Sequence, residues 1–148
     1  MKLVDRYPII VTERMAACRD FYVKHLGFAV IFEASWFTLL AADGESATIA
    51  FMASDHPSAP PGPEPYSGAG MCVEFQVEDA RGAFEQFTAT GLVAGYPLTD
   101  EPFGQRRFGF QDPAGVWVDV VEQIEPADGY WDRYPPAEDG STMSAPGQ

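Results

Sequence analysis

The chain has 148 residues, enough for one domain with a buried core, and 46% of them are hydrophobic, which excludes an intrinsically disordered protein. Its 22 acidic and 9 basic residues give a net charge of −13, so its surface repels nucleic acid and anionic membranes and attracts cationic ligands. The same acidity is also compatible with a role in solubility alone. No apolar run approaches the ~20 residues of a membrane helix and no apolar leader follows Met1, which predicts a cytoplasmic protein without a membrane partner.

The first half of the sequence predicts a βαβββ module. An apolar strand over residues 7–12 is followed by apolar side chains that recur on one helical face, namely Met15, Cys18, Tyr22 and Leu26. Thr12 or Glu13 is expected to cap this helix, and Gly27 to end it in the left-handed conformation. Three strands are then predicted near residues 29–33, 36–41 and 47–52, with Asp43 and Gly44 forming the turn between the last two.

The second half repeats this order after a linker. Five prolines between residues 55 and 70 predict a stiff segment without sheet structure: Pro57, Pro60, Pro61, Pro63 and Pro65. A strand over residues 71–77 follows, then a helix capped by Asp79 that ends at Gly91, 64 residues after Gly27. The sequence thus predicts a single domain over residues 1–123, built from modules at about 5–53 and 70–123.

Residues 103–119 carry the most specific local pattern, two strands joined by a tight turn. Asp112 is placed to accept from the turn backbone, Pro113 pre-sets its own φ, and Gly115 takes the last turn position. One face of the strands is apolar, with Phe108, Phe110, Val116, Val118 and Val120. The other face carries Arg107, Gly109, Gln111, Trp117, Asp119 and Val121. Such a mixture is unusual for plain solvent exposure, which predicts a binding site on this face.

This hairpin and residues 11–22, with the Leu26-Gly27-Phe28 exit of the first helix, resemble motifs of the glyoxalase / bleomycin-resistance / extradiol-dioxygenase superfamily, the vicinal oxygen chelate proteins. The resemblance covers roughly residues 5 to 123. It implies an α+β fold in which two βαβββ modules per chain form curved antiparallel sheets around a cleft. Because the superfamily hosts unrelated chemistries on one scaffold, the function has to be argued from the site.

In the metal-bearing members of that family, His, Gln or Glu side chains on the first, fourth, fifth and eighth strands bind the ion. The matching positions are Arg6 or Tyr7, about Ala50, Cys72 and Asp119, of which only Asp119 is a convincing ligand. The two histidines, His25 and His56, fall in the first helix and in the linker. The resemblance therefore implies a site without a metal or other cofactor, with an unorthodox metal site of Cys72, Glu74 and Asp119 left as an alternative.

Strand alternation places a set of candidate ligand-binding residues on the cleft faces: Trp36, Glu74, Gln76, Arg107, Gln111, Trp117 and Asp119. On the third strand the alternation is ambiguous, and either Trp36 with Thr38 or Phe37 with Leu39 faces the cleft. No serine or cysteine beside a histidine forms a nucleophile–base pair, so no catalytic residue is assigned. Ordinary packing of the tryptophans, a solvated Glu74 and a structural ion pair of Arg107 are the simpler alternatives.

An aromatic-lined, acidic cleft suits a flat cationic or hydrogen-bonding molecule. The chain most resembles the metal-free, bleomycin-resistance-like branch of the family. That resemblance implies a metal-independent small-molecule-binding protein that sequesters a cationic or aromatic toxic compound or antibiotic. The alternatives are a metal-dependent lyase, isomerase or dioxygenase of the same fold, a metal-free enzyme with Glu74 or Asp119 as base, and a small-molecule-responsive or partner-binding module without catalysis.

The remaining expectations concern assembly, the tail and the thiols. The concave surfaces and strand edges of two modules predict a homodimer. Residues 124–148 form an acidic, proline-rich tail. The part over 124–134, with Tyr130, Trp131 and Tyr134, is expected to lie against the domain or a partner subunit, and the part after Pro136 to be mobile. Cys18 and Cys72 are expected to be reduced core thiols.

Overall fold

The computed structural model describes residues 1–135, apart from the side chain of Ala47. The first module consists of β1 (Ile9–Thr12), α1 (Met15–Leu26), β2 (Ala29–Glu33), β3 (Phe37–Ala42) and β4 (Ser46–Ala53). The second consists of β5 (Cys72–Gln76), α2 (Ala80–Ala89), β6 (Tyr96–Glu101), β7 (Gln105–Gln111) and β8 (Trp117–Gln123), followed by a short 3₁₀ helix (Trp131–Arg133). None of the helices within residues 1–135 is long and apolar enough to cross a membrane. The mobility expected after Pro136 lies outside the described residues.

Each module contributes one four-stranded sheet, in the orders β1-β4-β3-β2 and β5-β8-β7-β6. The predicted α+β fold with two βαβββ modules is confirmed. The sheets are mixed rather than purely antiparallel, since β1 runs parallel to β4 and β5 runs parallel to β8. The reason is that a helix joins the first two strands of each module and returns the chain to begin the next strand in the same direction.

The helix ends follow local sequence signals, with one exception. The Thr12 hydroxyl accepts a hydrogen bond of 3.0 Å from the backbone N–H of Arg14, which is the residue before the first residue of the helix. Arg14 occupies the N-cap position without a side-chain hydrogen bond, and the expectation that Thr12 or Glu13 caps α1 was wrong. Gly27 ends α1 at φ 72°, in the expected left-handed conformation. The Asp79 cap of α2 is confirmed, since its carboxylate accepts from a first-turn backbone N–H at 3.0 Å.

Each helix covers one face of its own sheet. α1 buries Cys18 and Tyr22 in a cluster completed by Ile10, Phe28, Leu40, Ile49, Phe51 and Val116. α2 buries Phe87 in a second cluster with Phe108, Phe110, Val118 and Val120, which confirms the apolar face predicted for β7 and β8. Phe21 packs against both clusters, so the cores of the two modules are continuous. The remaining face of each sheet carries no helix and is available for other contacts.

The two cysteines have different environments. Cys18 is fully buried, and burial raises the pKa of its thiol to about 12. Cys72 is exposed, so the expectation that both are core thiols was wrong for this residue. The physical reason is that β5 lies at the edge of its sheet and the Cys72 side chain points away from α2, on the face that Val73 and Phe75 do not share.

Residues 124–134 fold back onto the loop between β6 and β7. The backbone N–H groups of Ile124 and Ala127 donate to carbonyl groups of that loop, at 2.9 Å and 2.8 Å. The Trp131 indole N–H donates to the carbonyl oxygen of Phe103 at 3.0 Å. Over these residues the tail therefore lies against its own domain, which is one of the two docking surfaces that the sequence left open.

Candidate functional site

Six of the seven candidate ligand-binding residues share one surface of the second sheet, on the side away from α2. This surface is named the open face; it carries Glu74, Gln76, Arg107, Gln111, Trp117 and Asp119. In the strand register Glu74 pairs with Asp119, and Gln111 pairs with Trp117. Because side chains two residues apart on a strand share a face, Gln76 and Arg107 point in the same direction as these pairs. The structure thus brings together residues from β5, β7 and β8.

The centre of the open face is the carboxylate of Asp119, both oxygens of which are engaged. Oδ1 accepts from the Trp117 indole N–H at 2.8 Å, and Oδ2 accepts from Arg107 Nη1 at 3.1 Å. Arg107 Nε also donates to the Glu101 carboxylate at 3.2 Å, and Glu101 accepts a further hydrogen bond from the Tyr96 hydroxyl. The Asp119 side chain is only 9% exposed. Asp119 therefore orients the indole and the guanidinium and does not face solvent as a free charge.

Arg107 contacts two aromatic rings. Its guanidinium carbon is 5.0 Å from the ring centre of Tyr96 and 5.7 Å from that of Phe103. Burial disfavours the cation, but the attraction of Asp119 and Glu101 outweighs it, so the pKa of Arg107 is raised above its usual value. The guanidinium is thus a fixed positive charge, held in position by two rings and two carboxylates.

The indole of Trp117 lies across the sheet, over two glycines. A β-carbon at Gly109 would lie 2.9 Å from Trp117 Cε2 and 2.8 Å from Asp119 Oδ1. A β-carbon at Gly95 would lie 3.4 Å from Trp117 Cη2. Only a residue without a side chain at position 109 therefore lets the ring approach the backbone so closely. The ring is half-buried, which leaves a fixed aromatic platform with an accessible side.

Exposed polar residues surround this platform: Cys72, Glu74, Gln76 and Gln111. No hydrogen bond or ion pair within residues 1–135 engages the Glu74 carboxylate, although its strand neighbour Asp119 is fully engaged. The open face has three carboxylates, that of Glu74 and the two that bind Arg107, against one guanidinium, which gives a net charge of −2. Of the three, Glu74 is the exposed one, whereas the Asp119 and Glu101 side chains are only 9% and 13% exposed, so Glu74 is the carboxylate that a ligand can contact directly.

Trp36, the seventh candidate, belongs to the first sheet. Leu40 of β3 packs in the α1 cluster, so Phe37 and Leu39 lie on the opposite side, which resolves the ambiguous alternation in their favour. Trp36 precedes β3 and contacts the Phe37 ring, with 5.7 Å between the ring centres. It is therefore not part of the open face, and its predicted role in ligand binding stays a prediction.

The positions that bind metal in related proteins do not suit a metal in this chain. Ala50 has no donor atom, both Asp119 oxygens are engaged by other groups, and Tyr7 lies before the first residue of β1. In the described part of the chain, no three His, Cys, Asp or Glu side chains lie close enough together to hold an ion, and this applies to Cys72 with Glu74 and Asp119. A catalytic divalent ion needs about three protein ligands, so the donor set does not fit one.

Neither histidine lies on the open face. His25 Nδ1 is 2.8 Å from the Thr90 hydroxyl, and His56 Nε2 is 3.0 Å from the carbonyl oxygen of Gly62. The open face therefore has no imidazole to exchange protons with a ligand. What it offers chemically is a stacking surface, exposed amide groups and one free carboxylate.

A groove of about 1370 Å³ runs along the free edge of β5. It is bordered by the N-terminal segment, the end of α1 and α2, and it reaches the open face only through Glu74 and Gln76. We assign the site to the open face instead, because there the polar groups are already oriented around an aromatic ring, as in sites that bind small molecules with defined orientation.

Several residues that build the site were missed by sequence reasoning. Tyr96 and Glu101 lie in β6, a strand that the predicted βαβββ module implied but to which the sequence assigned no residues; it contains Pro97 and lies at a sheet edge, where a residue without an N–H is tolerated. Phe103 lies in the following loop and carries no strand pattern. Gly109 did give a signal, since a glycine that alternates with long side chains in a strand marks a close approach.

Comparison with known proteins agrees with this fold. The family described as "Glyoxalase/Bleomycin resistance protein/Dioxygenase superfamily" matches residues 4–120. No curated protein matches the chain. Among solved structures, a glyoxalase/bleomycin resistance protein/dioxygenase from Nocardioides is 22% identical, with a TM-score of 0.66 over 83% of this chain and 87% of the other.

Two further structures are similar at comparable distance. A superfamily member from Sphaerobacter thermophilus is 23% identical, with a TM-score of 0.65 over 82% of this chain and 98% of the other. A lactoylglutathione lyase from Agrobacterium tumefaciens is 17% identical, with a TM-score of 0.61 over 82% and 95%. At such identities the likeness shows the fold alone. Since the family match spans most of the chain, the protein belongs to the glyoxalase/bleomycin resistance/dioxygenase superfamily.

Proposed function

We propose that this protein is a metal-independent small-molecule-binding protein of the bleomycin-resistance-like branch. Its open face binds a flat, cationic aromatic compound, and the protein thereby sequesters a toxic compound or antibiotic of that class. The observation that carries this proposal is the position of Trp117. The ring is fixed over Gly109 by its hydrogen bond to Asp119, and the exposed Glu74 lies on the neighbouring strand.

The fixed ring supplies affinity for a planar ligand. Stacking on an indole and cation–π attraction each contribute about 1 kcal/mol. Because Trp117 is held by Asp119 before any ligand arrives, little side-chain freedom is lost on binding. If the ligand had to order the ring on binding, the lost side-chain freedom would offset part of the binding free energy from stacking.

The charge of the ligand follows from Glu74. Sequence reasoning treated Asp119 as a source of attraction for cations, but Asp119 is paired with Arg107 and its side chain is only 9% exposed, which leaves Glu74 as the accessible carboxylate. The net charge of −13 adds a long-range field that attracts cations and that salt screens. A planar cation is therefore favoured over a planar anion of the same size.

Ethidium, a planar aromatic cation, is expected to bind the EDTA-treated protein and raise its melting temperature. Pyrene-1-sulfonate, a planar anion, is expected to bind at least about tenfold more weakly because Glu74 repels it. Trp117→Ala should weaken ethidium binding about tenfold, which corresponds to the loss of stacking and cation–π attraction together. Glu74→Gln should weaken it less and flatten its dependence on salt. Isothermal titration at two salt concentrations measures the affinity of the parent for each dye and the affinity of each variant for ethidium. Thermal unfolding measures the melting temperature.

Glu85→Gln is the matched control, since Glu85 is an exposed glutamate of α2 on the far side of the sheet. It changes the net charge equally and should leave ethidium affinity nearly unchanged. Equal affinity for both dyes, or full affinity in Trp117→Ala, contradicts the proposal. Stoichiometric bound metal that raises the melting temperature would instead favour the alternative, a metal-dependent lyase, isomerase or dioxygenase.

We also propose that the chain forms a homodimer through the first sheet. Four large apolar side chains on or beside its edges are exposed: Ile9 by 45%, Val30 by 40%, Ile31 by 39% and Phe32 by 56%. Three of them belong to β2, an edge strand, and the Phe32 ring contacts Phe37 with 6.2 Å between centres. An exposed apolar edge strand of this kind favours association with another chain.

Phe32→Glu is expected to convert the dimer to a monomer, because it places a charge on this apolar edge strand. Light scattering should give twice the chain mass of 16.2 kDa for the parent and 16.2 kDa for the variant. Val23→Glu is the control, since Val23 is 42% exposed but lies on α1. A parent protein that is monomeric at micromolar concentration contradicts the proposal.

A further inference from the structure

We propose that the aromatic residues of the C-terminal segment, Tyr130, Trp131 and Tyr134, are positioning residues of the open face. They hold the loop between β6 and β7 so that Phe103 covers Arg107 and keeps Arg107 in contact with Asp119. The effect on ligand affinity rests on the proposed function, whereas the effect on the geometry of the open face does not.

The loop is attached to this segment at both of its ends and at its centre. The backbone N–H of Ile124 donates to Gly104 O at 2.9 Å, and the Trp131 indole donates to Phe103 O at 3.0 Å. A β-carbon at Gly104 would lie 3.0 Å from the Ile124 carbonyl oxygen, so the two chain segments are in direct contact. Ala127 adds a third hydrogen bond at the start of the loop. These contacts fix the backbone position from which the Phe103 side chain extends.

Three rings of the segment form one cluster with Phe103. The Tyr130 ring centre is 6.2 Å from that of Phe103, 5.3 Å from that of Trp131 and 5.4 Å from that of Tyr134. Trp131 and Tyr134 are 6.1 Å apart. Aromatic pairs at such distances attract each other beyond their area burial, so the cluster restrains the Phe103 ring that contacts Arg107.

A series of direct contacts then leads to the ligand platform. Phe103 lies 5.7 Å from the Arg107 guanidinium, Arg107 binds Asp119 at 3.1 Å, and Asp119 binds the Trp117 indole at 2.8 Å. If the cluster is removed, Phe103 is no longer held over the guanidinium, and the Arg107 side chain, which is 28% exposed, becomes more accessible to water. The Arg107–Asp119 bond then weakens, and the indole loses the partner that orients it.

The test uses side-chain N–H signals in ¹⁵N NMR spectra of the full chain. Signals of the Trp117 indole and of Arg107 Nε–H are assigned with the variants Trp117→Phe and Arg107→Lys. Trp131→Ala is expected to shift both signals and to speed hydrogen exchange of the Trp117 indole at least about fivefold, because local opening becomes easier. Trp131→Phe keeps a ring but loses the donor to Phe103, so it should show smaller shifts in the same direction.

Arg133→Ala is the matched control, since Arg133 is an exposed neighbour in the same 3₁₀ helix. It should leave both signals in place. Trp131→Phe removes only one hydrogen bond and keeps the experiment decisive if Trp131→Ala does not fold. Unchanged Trp117 and Arg107 signals in either folded Trp131 variant overturn the proposal.

Ethidium titration adds a test of the path through Arg107. Trp131→Ala should weaken ethidium binding about fivefold in the parent background and less than about twofold in Arg107→Gln, because residues that act through one another are not additive. Equal losses of ethidium affinity in both backgrounds would show a general structural effect. They would overturn the proposal that Trp131 acts through Arg107. If ethidium does not bind the parent protein, the proposed function fails, while the NMR signals still decide the positioning role.

Discussion

Replacement of Gly109 by alanine is expected to displace the Trp117 ring and weaken ethidium binding more than tenfold, although no functional side chain is removed. The added carbon would lie 2.9 Å from Trp117 Cε2 and 2.8 Å from Asp119 Oδ1, and both distances are shorter than a van der Waals contact. The two side chains are joined by the hydrogen bond from Trp117 Nε1 to Asp119 Oδ1, so neither can move without disturbing the other. Overpacking of this kind costs about 1–3 kcal/mol. Thermal unfolding, tryptophan fluorescence and ethidium titration measure the effect.

Gly95→Ala is the control for this prediction. Its β-carbon would lie 3.4 Å from Trp117 Cη2, which is close to an ordinary van der Waals contact, so the variant should bind ethidium nearly as well as the parent. In a Trp117→Ala background the added methyl of Gly109→Ala no longer meets a ring. Most of the stability that Gly109→Ala loses in the parent should then be retained. If Gly109→Ala binds ethidium like the parent, the indole is not the fixed platform that the proposed function requires.

The shared face of the site could be predicted because the strand pleat has a fixed period. Glu74 and Gln76 on β5, and Trp117 and Asp119 on β8, alternate with valine and phenylalanine, so their direction follows once the apolar residues are buried. The turn that begins at Asp112 was predicted from its residue types and sets which strands are neighbours. Local chemistry was sufficient for these features.

Other features depend on pairing that no local pattern determines. The pairing of Asp119 requires Arg107 from the neighbouring strand, and Glu101 reaches the same guanidinium from β6, where it pairs with Gln105. The choice of Phe37 over Trp36 on the first sheet depends on where β3 begins to pair with β4. The sequence therefore predicted which side chains share the open face, but the charge that a ligand meets there depended on cross-strand contacts.

Asp112→Ala is expected to have the largest effect on stability, about 3–5 kcal/mol, because it leaves several buried donors without acceptors. The Asp112 side chain accepts from the Tyr22 hydroxyl at 2.8 Å and from the backbone N–H groups of Ala114 and Val116 at 2.9 and 3.0 Å. Asp112 is 4% exposed, and it joins α1 of the first module to the β7–β8 turn of the second. Its removal therefore weakens both the turn and the contact between modules. Urea unfolding at constant pH measures the loss.

Variants of the same site separate these contributions. Asp112→Asn keeps an oxygen for the turn N–H groups, so it should lose less stability than Asp112→Ala. Tyr22→Phe removes only the hydrogen bond from the Tyr22 hydroxyl to Asp112 and should cost about 1–3 kcal/mol. Gln111→Ala changes an exposed neighbour and should stay within about 0.5 kcal/mol of the parent. A loss below about 1 kcal/mol for Asp112→Ala would mean that the apolar contacts of Phe21, rather than this carboxylate, hold the second module against the first.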